Sequence, residues 1–143
     1  MKLEDIENEW DKDCGLEMDL TIETQRTPRL HNKYMRMWTR ELAQRSLRDQ
    51  ELRNAKQVLN EYYGGTLSDE ELKELGRRPF GQTILKTDRP NYINNDEWIK
   101  ELENKLLMSK VKVDTLEHII RQIRERNFHI KNMIELRKFE TGG

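Results

Sequence analysis

The chain has 143 residues, 37% of them charged against 34% hydrophobic, with only three prolines and seven glycines. That balance excludes a turn-rich sandwich and a thick single apolar core, and predicts one all-α domain whose helices complete their burial against other subunits. The net charge of -1 hides opposed blocks, with nine acids and two bases in residues 1–25 and nine bases and three acids in residues 26–56, an asymmetry that bears on partners and association rather than on fold.

Leu3, Ile6 and Trp10 recur at helical spacing in an acidic opening segment and predict a short amphipathic helix to about Asp13. The acidic segment 1–25 is expected to dock on a basic surface, of a neighbouring subunit or of a protein partner. After a loop over 15–25, Thr27 as N-cap and Pro28 at the first helical position predict a basic helix over 28–63. "YYGG" ends it, with Gly64 expected in the left-handed cap conformation. Ser68 followed by Asp69, Glu70 and Glu71, with Gly76 beyond, predicts a short helix over 68–75. Residues 77–95 read as a loop with at most a brief strand at Thr83–Leu85. Asn94 with Glu97 three residues on predicts the cap of the final helix.

From 96 to 140 no proline or glycine interrupts the chain. Ile99, Leu102, Leu106, Val113, Leu116, Ile120, Ile123, Ile130 and Ile134 recur at steps of three and four, with Ser109 and Asn127 breaking the series, the pattern of a coiled-coil seam. A straight helix of this length would extend roughly 65 Å at 1.5 Å per residue. It therefore protrudes into an assembly or bends, and Asn127 is the expected bend because asparagine tolerates the left-handed conformation; a seam asparagine that sets register is the competing reading. Leu116, Ile120, Ile123, Phe128, Ile130 and Ile134 are the expected oligomerisation residues.

Arg29, Lys33, Arg36 and Arg40 fall within about 60° of one another around a helix, and no acid occurs from residue 24 to 40. Ordinary exposed helices interleave glutamate for i,i+4 pairing, so this stripe is a candidate anion-binding face as well as a solvated one. The loop cations Arg77, Arg78, Lys86 and Arg89, with Phe80, are a second candidate, since loop side chains owe less to core packing. Arg121, Arg124, Arg126, Lys131, Arg137 and Lys138 form a third basic group, in which Arg124, Lys131 and Lys138 recur at sevens and are expected to flank the seam.

Catalytic chemistry finds no support. His31, His118 and His129 have no metal-ligand spacing with one another or with Cys14, and neither a phosphate loop nor a nucleophile motif is present. No metal, cofactor or catalytic residue is expected. The single cysteine, the lack of a signal-like apolar run and the lack of about 20 consecutive apolar residues lead us to expect a soluble, non-secreted protein without a membrane partner.

Three stretches, "MKLEDIENEWDKD", "NEYYGGTL" with "ILKTDRPNYI", and "RNFHIKNMIELRKFETGG", together resemble the UvsY family of recombination mediator proteins from T4-like tailed phages. The resemblance implies a non-enzymatic, largely helical protein that forms a ring-like homo-oligomer in the cytoplasm of an infected bacterial host. It further implies binding to single-stranded DNA, to the phage RecA-like recombinase and to the phage single-stranded-DNA-binding protein, so that recombinase loads onto coated DNA. The family's DNA contact one turn before the paired tyrosines adds Arg53 and Lys56, the nearest bases, to the expected DNA-binding set. A coiled-coil scaffold or adaptor without nucleic-acid binding remains the alternative.

Overall fold

A computed structural model describes residues 1–142. All regular elements of the described residues are helices: α1 (Leu3–Asp13), α2 (Leu20–Tyr63), α3 (Asp69–Leu75), α4 (Arg89–Asn94) and α5 (Glu97–Glu140). Two compact units form, one from Met1–Gln44 with Ser109–Gly143 and the other from Arg45–Met108. The long helices α2 and α5 contribute to both.

In the first unit, Ile6 of α1, Leu30 and Tyr34 of α2, and Leu116, Ile119, Ile120 and Ile123 of α5 make one buried cluster. Trp10 stands edge-on to Tyr34 at 5.4 Å between ring centroids. Burial drives the Tyr34 hydroxyl to donate to Asp13 at 2.9 Å, and raises its pKa above the ordinary phenolic range. The α2 and α5 segments run antiparallel here, since Glu23 meets Arg126 while Trp38 donates to Glu117 at 3.3 Å.

Glu23 is 1% exposed and Arg126 4%. A carboxylate so placed needs a partner, and the Arg126 guanidinium supplies it, bonding the Glu23 carboxylate, the Glu23 carbonyl at 3.3 Å and the Thr27 hydroxyl at 3.1 Å. Arg126 thus occupies the seam position between Ile123 and Ile130, and the exposed neighbour is Asn127. No described residue other than glycine has a positive φ. Asn127 is therefore not left-handed, and α5 passes through it as continuous helix.

The second helix starts eight residues before its expected origin. Asp19 caps it, its carboxylate accepting from the backbone N–H groups of Thr21 at 3.0 Å and Ile22 at 3.3 Å. Pro28 lies inside α2 rather than at its start, where proline costs about 3 kcal/mol through its missing donor and its clash with the preceding turn. The turn just before it is the one that Arg126 holds through Glu23 and Thr27.

The second unit buries Leu52, Ala55, Leu59, Tyr62 and Tyr63 of α2 against Leu72, Ile84, Ile93, Ile99, Leu102 and Leu106. The left-handed residue that closes α2 is Gly65, with φ 70°, not Gly64; the Thr66 N–H reaches the Glu61 carbonyl and the Gly65 N–H the Tyr62 carbonyl, both at 3.1 Å. Ser68 caps α3 by accepting from the Glu71 N–H, and Gly76 ends it at φ 73°. Residues 77–95, expected as loop, contain the short helix α4, with Pro90 in its first turn where a lost N–H is harmless. Thr83–Leu85 forms no strand: Ile84 N–H reaches the Tyr63 carbonyl at 2.9 Å, the Leu85 carbonyl turns to the Asp88 and Arg89 N–H groups at 2.9 and 3.1 Å, and no strand lies beside it among the described residues. The cap of α5 is Asp96, which accepts from the Trp98 N–H at 3.0 Å, and not Asn94, which closes α4.

Removing one member of the Glu23–Arg126 pair strands the other in an apolar setting. Arg126→Leu is expected to destabilise the protein by about 3–5 kcal/mol, and Glu23→Leu with Arg126→Leu to recover most of that loss. Urea unfolding midpoints of the two variants check this; equal destabilisation would show that packing, not the stranded carboxylate, sets the cost.

Candidate nucleic-acid interface

The sequence-predicted cations separate into two classes by what they touch. On α2, Arg29, Arg36 and Arg40 are exposed, and among the described residues none of them has an ion-pair or hydrogen-bond partner. Lys33, on the edge of the same stripe, is bound at 2.8 Å to Glu9 and 2.6 Å to Asp13 of α1. Arg26 reaches Asp13 at 3.1 Å and Glu23 at 3.3 Å. The acidic first helix therefore docks on the chain's own basic helix and covers one flank of the stripe. Burial opposes the Lys33 charge, yet the hydrogen bonds of Asp13 and Glu9 outweigh it and raise its pKa. The outward flank is left with three guanidinium groups over three helical turns.

In the second unit two of the six expected cations, Arg77 and Arg89, are structural. Arg77 makes two short bonds to Asp96, at 2.6 and 2.7 Å, and stands 5.1 Å over the Tyr62 ring. Asp96, 7% exposed, also accepts from the Tyr63 hydroxyl at 2.8 Å. The Arg77 guanidinium holds Asp96 below the usual carboxylate range, and burial together with the Asp96 bond pushes Tyr63 up to about 12. Arg89 donates to the Ile84 carbonyl at 2.9 Å. Its guanidinium lies over Gly64, where an added Cβ would sit 2.9 Å from the guanidinium carbon, so the glycine is what lets a cation close on the carbonyl end of α2.

Arg53 is 77% exposed on its side chain and pairs with Asp49 at 2.6 Å, and Lys56 is half-buried. Arg78 and Lys86 are exposed and unpaired among the described residues. Of the expected DNA-binding cations, those left exposed and unpaired among the described residues are thus Arg29, Arg36 and Arg40 in the first unit and, separately, Arg78 and Lys86 in the second.

Of the expected oligomerisation residues, Leu116, Ile120, Ile123 and Ile130 are buried within the chain. Phe128 and Ile134 remain at the surface, 64% and 40% exposed, and are joined by Leu136 at 49% and Phe139 at 85%. Every residue from Lys131 to Glu140 is exposed. Among the described residues no group of three or more histidine, cysteine or acidic side chains is placed to hold a metal, and no helix is long and apolar enough to cross a membrane.

The family model described as "Recombination, repair and ssDNA binding protein UvsY" matches residues 9–143. The chain belongs to the UvsY family. Crystal structures of the bacteriophage T4 recombination mediator protein UvsY share its fold. One superposes with a TM-score of 0.82 at 20% identity over 99% of this chain and 98% of that one. A second gives 0.84 at 18% identity over 97% and 99%. No curated protein matches the sequence significantly.

Within this UvsY-family chain, sequence reasoning missed two residues that shape the interface. Asp96 was hidden as one acid in "NNDEW"; its place at the first turn of the longest uninterrupted helix is the signal that marks it as a cap. Arg126 was grouped with surface bases, although the step 123, 126, 130 fits the seam as well as 123, 127, 130 does.

Because the folded pKa of Asp96 is depressed, its contribution to stability is fully present above the unfolded-state value, about 3.9, and is lost as pH falls through the lower folded value. Asp96→Asn is expected to lower stability at neutral pH by about 1.5–3 kcal/mol, by removing the charge-assisted bonds to Arg77, and to remove this acid-dependent component. Comparing unfolding free energies of both proteins between pH 6 and 2 checks it; parallel curves would assign the acid response to other carboxylates.

Proposed function

We propose that this UvsY-family protein is a recombination mediator that binds single-stranded DNA through backbone phosphates. Arg29, Arg36 and Arg40 on α2, with Arg78 and Lys86 in the second unit, make the principal contacts. Arg53 and Lys56 assist, while Lys33, Arg77 and Arg89 hold the surfaces that carry the others. The observation that carries this reading is the row of three exposed guanidinium groups, unpaired among the described residues, on one flank of a helix whose other flank is already neutralised by α1. Fixed cations with no internal anion are suited to phosphate.

One subunit offers few such contacts. A ring-like homo-oligomer joined at the exposed apolar end of α5, through Phe128 and Ile134 and with the buried Leu116, Ile120, Ile123 and Ile130 shaping the helix behind them, multiplies them at high effective concentration. In that form the protein, in the cytoplasm of an infected bacterial host, engages the RecA-like recombinase and the single-stranded-DNA-binding protein and helps load recombinase onto coated DNA. Its tasks lie in homologous recombination, repair and recombination-dependent replication. It needs no cofactor and performs no catalysis.

The double substitution Arg36→Glu with Arg40→Glu is expected to weaken single-strand binding and to lower the salt slope by roughly 0.7 per lost phosphate contact, with oligomer mass unchanged. Fluorescence anisotropy across a salt series and light scattering read the two effects. A fall in mass would make the stripe a subunit interface, and no DNA binding by the parent protein at low salt would favour a scaffold role.

A further inference from the structure

The second unit carries an aromatic surface that phosphate contacts leave unexplained. Tyr62 and Tyr63 are buried, whereas Phe80 and Tyr92 are 39% and 40% exposed. Phe80 lies 5.0 Å from Tyr63, 5.8 Å from Tyr92 and 6.1 Å from Tyr62 between centroids, at interplanar angles of 84°, 77° and 62°. All three neighbours meet Phe80 edge-on or steeply tilted. Among the described residues no ring is stacked parallel on it.

Beside Phe80 opens a cleft of about 240 Å³ whose apolar walls include Tyr62, Leu72 and Pro79, with Asp69, Gln82 and Thr83 as its polar side chains. At about 30 Å³ per water it holds roughly eight waters, the bulk of one planar heterocycle and too little for a folded segment. A flat hydrophobic wall with a few donors and acceptors at the edge is the chemistry that accepts a nucleobase. The Asp69 carboxylate accepts base N–H groups and repels phosphate, so a strand entering here turns its base inward and its backbone out.

The loop that carries Phe80 is fixed before any ligand arrives. Tyr62 donates its hydroxyl to the Arg78 carbonyl at 2.9 Å, and the preceding Arg77 is clamped to Asp96. Arg78, between these anchors and two residues from Phe80, presents an exposed guanidinium with no partner among the described residues. Backbone order and a free cation thus accompany the open ring.

We propose that Phe80 and its cleft receive one unstacked nucleobase of a bound single strand, with Arg78 on the flanking phosphate and Tyr92 bracing the ring. This rests on the single-strand-binding reading above and adds to it a base contact indifferent to sequence. Stacking accounts for a part of affinity that salt does not remove, in contrast to the α2 stripe.

The test compares a thymidine oligonucleotide with an abasic strand of equal length, by anisotropy across salt, on the full-length protein. The parent protein is expected to prefer the base-bearing strand by about five- to one-hundred-fold. Phe80→Leu, which keeps an apolar side chain and spares the core, should abolish that preference with the salt slope unchanged, and Phe80→Trp should restore it. Equal affinity of the parent protein for both strands, at a normal salt slope, overturns the base site while leaving single-strand binding intact. A preference that survives Phe80→Leu also overturns it and returns the ring to a protein partner. A loss on both strands together with falling helix content by circular dichroism overturns it as a fold effect. Binding to neither strand at low salt fails the underlying reading and the inference with it.

Discussion

A carboxylate removed from water and answered by a single guanidinium fixes how the first unit is assembled. Glu23 on α2 and Arg126 on α5 are both almost fully buried, and an unpaired charge there would cost several kcal/mol. Only one alignment of the two helices lets them meet while Thr27 also reaches Arg126. Hydrophobic pairs tolerate a shift of one turn, since any apolar side chain can fill another's place approximately; this polar cluster does not. The rotation of α2 that follows places Leu30 and Tyr34 inward and Arg29, Arg36 and Arg40 outward. A device that looks purely architectural therefore decides which cations meet solvent.

The second unit uses the same logic with different residues. Asp96 caps α5, accepts from Tyr63 and clamps Arg77, so one carboxylate ties the start of one long helix to the end of the other and to the loop between α3 and α4. A third buried acid, Glu41, sits 3.9 Å from Lys112, an ion pair beyond hydrogen-bond reach. In each case α2 or the cap of α5 supplies the acid. Chains rich in charge and poor in apolar residues can gain a defined arrangement in this way, at a cost in desolvation that an all-hydrophobic core avoids.

Much of the architecture was legible in the sequence because it depends on local chemistry. The apolar spacing of Leu3, Ile6 and Trp10, the Ser68 cap, Gly76 and the seam of α5 each point to an element that exists. What escaped were matters of partner choice. A seam at steps of three and four says that Leu116, Ile120 and Ile123 will be covered, but not that their own chain covers them. A proline after threonine reads as a helix start unless the tertiary contacts that stabilise the preceding turn are known. For the interface, the stripe on α2 was visible in the absence of acids from residue 24 to 40, yet the acids that cover Lys33 lie 20 and 24 positions away. The free cations could be separated from the engaged ones only in three dimensions.

The last ten helical residues of α5, Lys131 to Glu140, are all exposed. They extend the helix mainly by propagation, one backbone bond for each residue ordered, with only partial burial of Met133, Ile134 and Leu136 on their own chain to favour it. Any neighbour that settles on Phe128, Ile134, Leu136 and Phe139 supplies the missing burial and orders the helix at once. Ordering of this end and association through it would then be a single equilibrium, in which the length of the helix gauges subunit concentration.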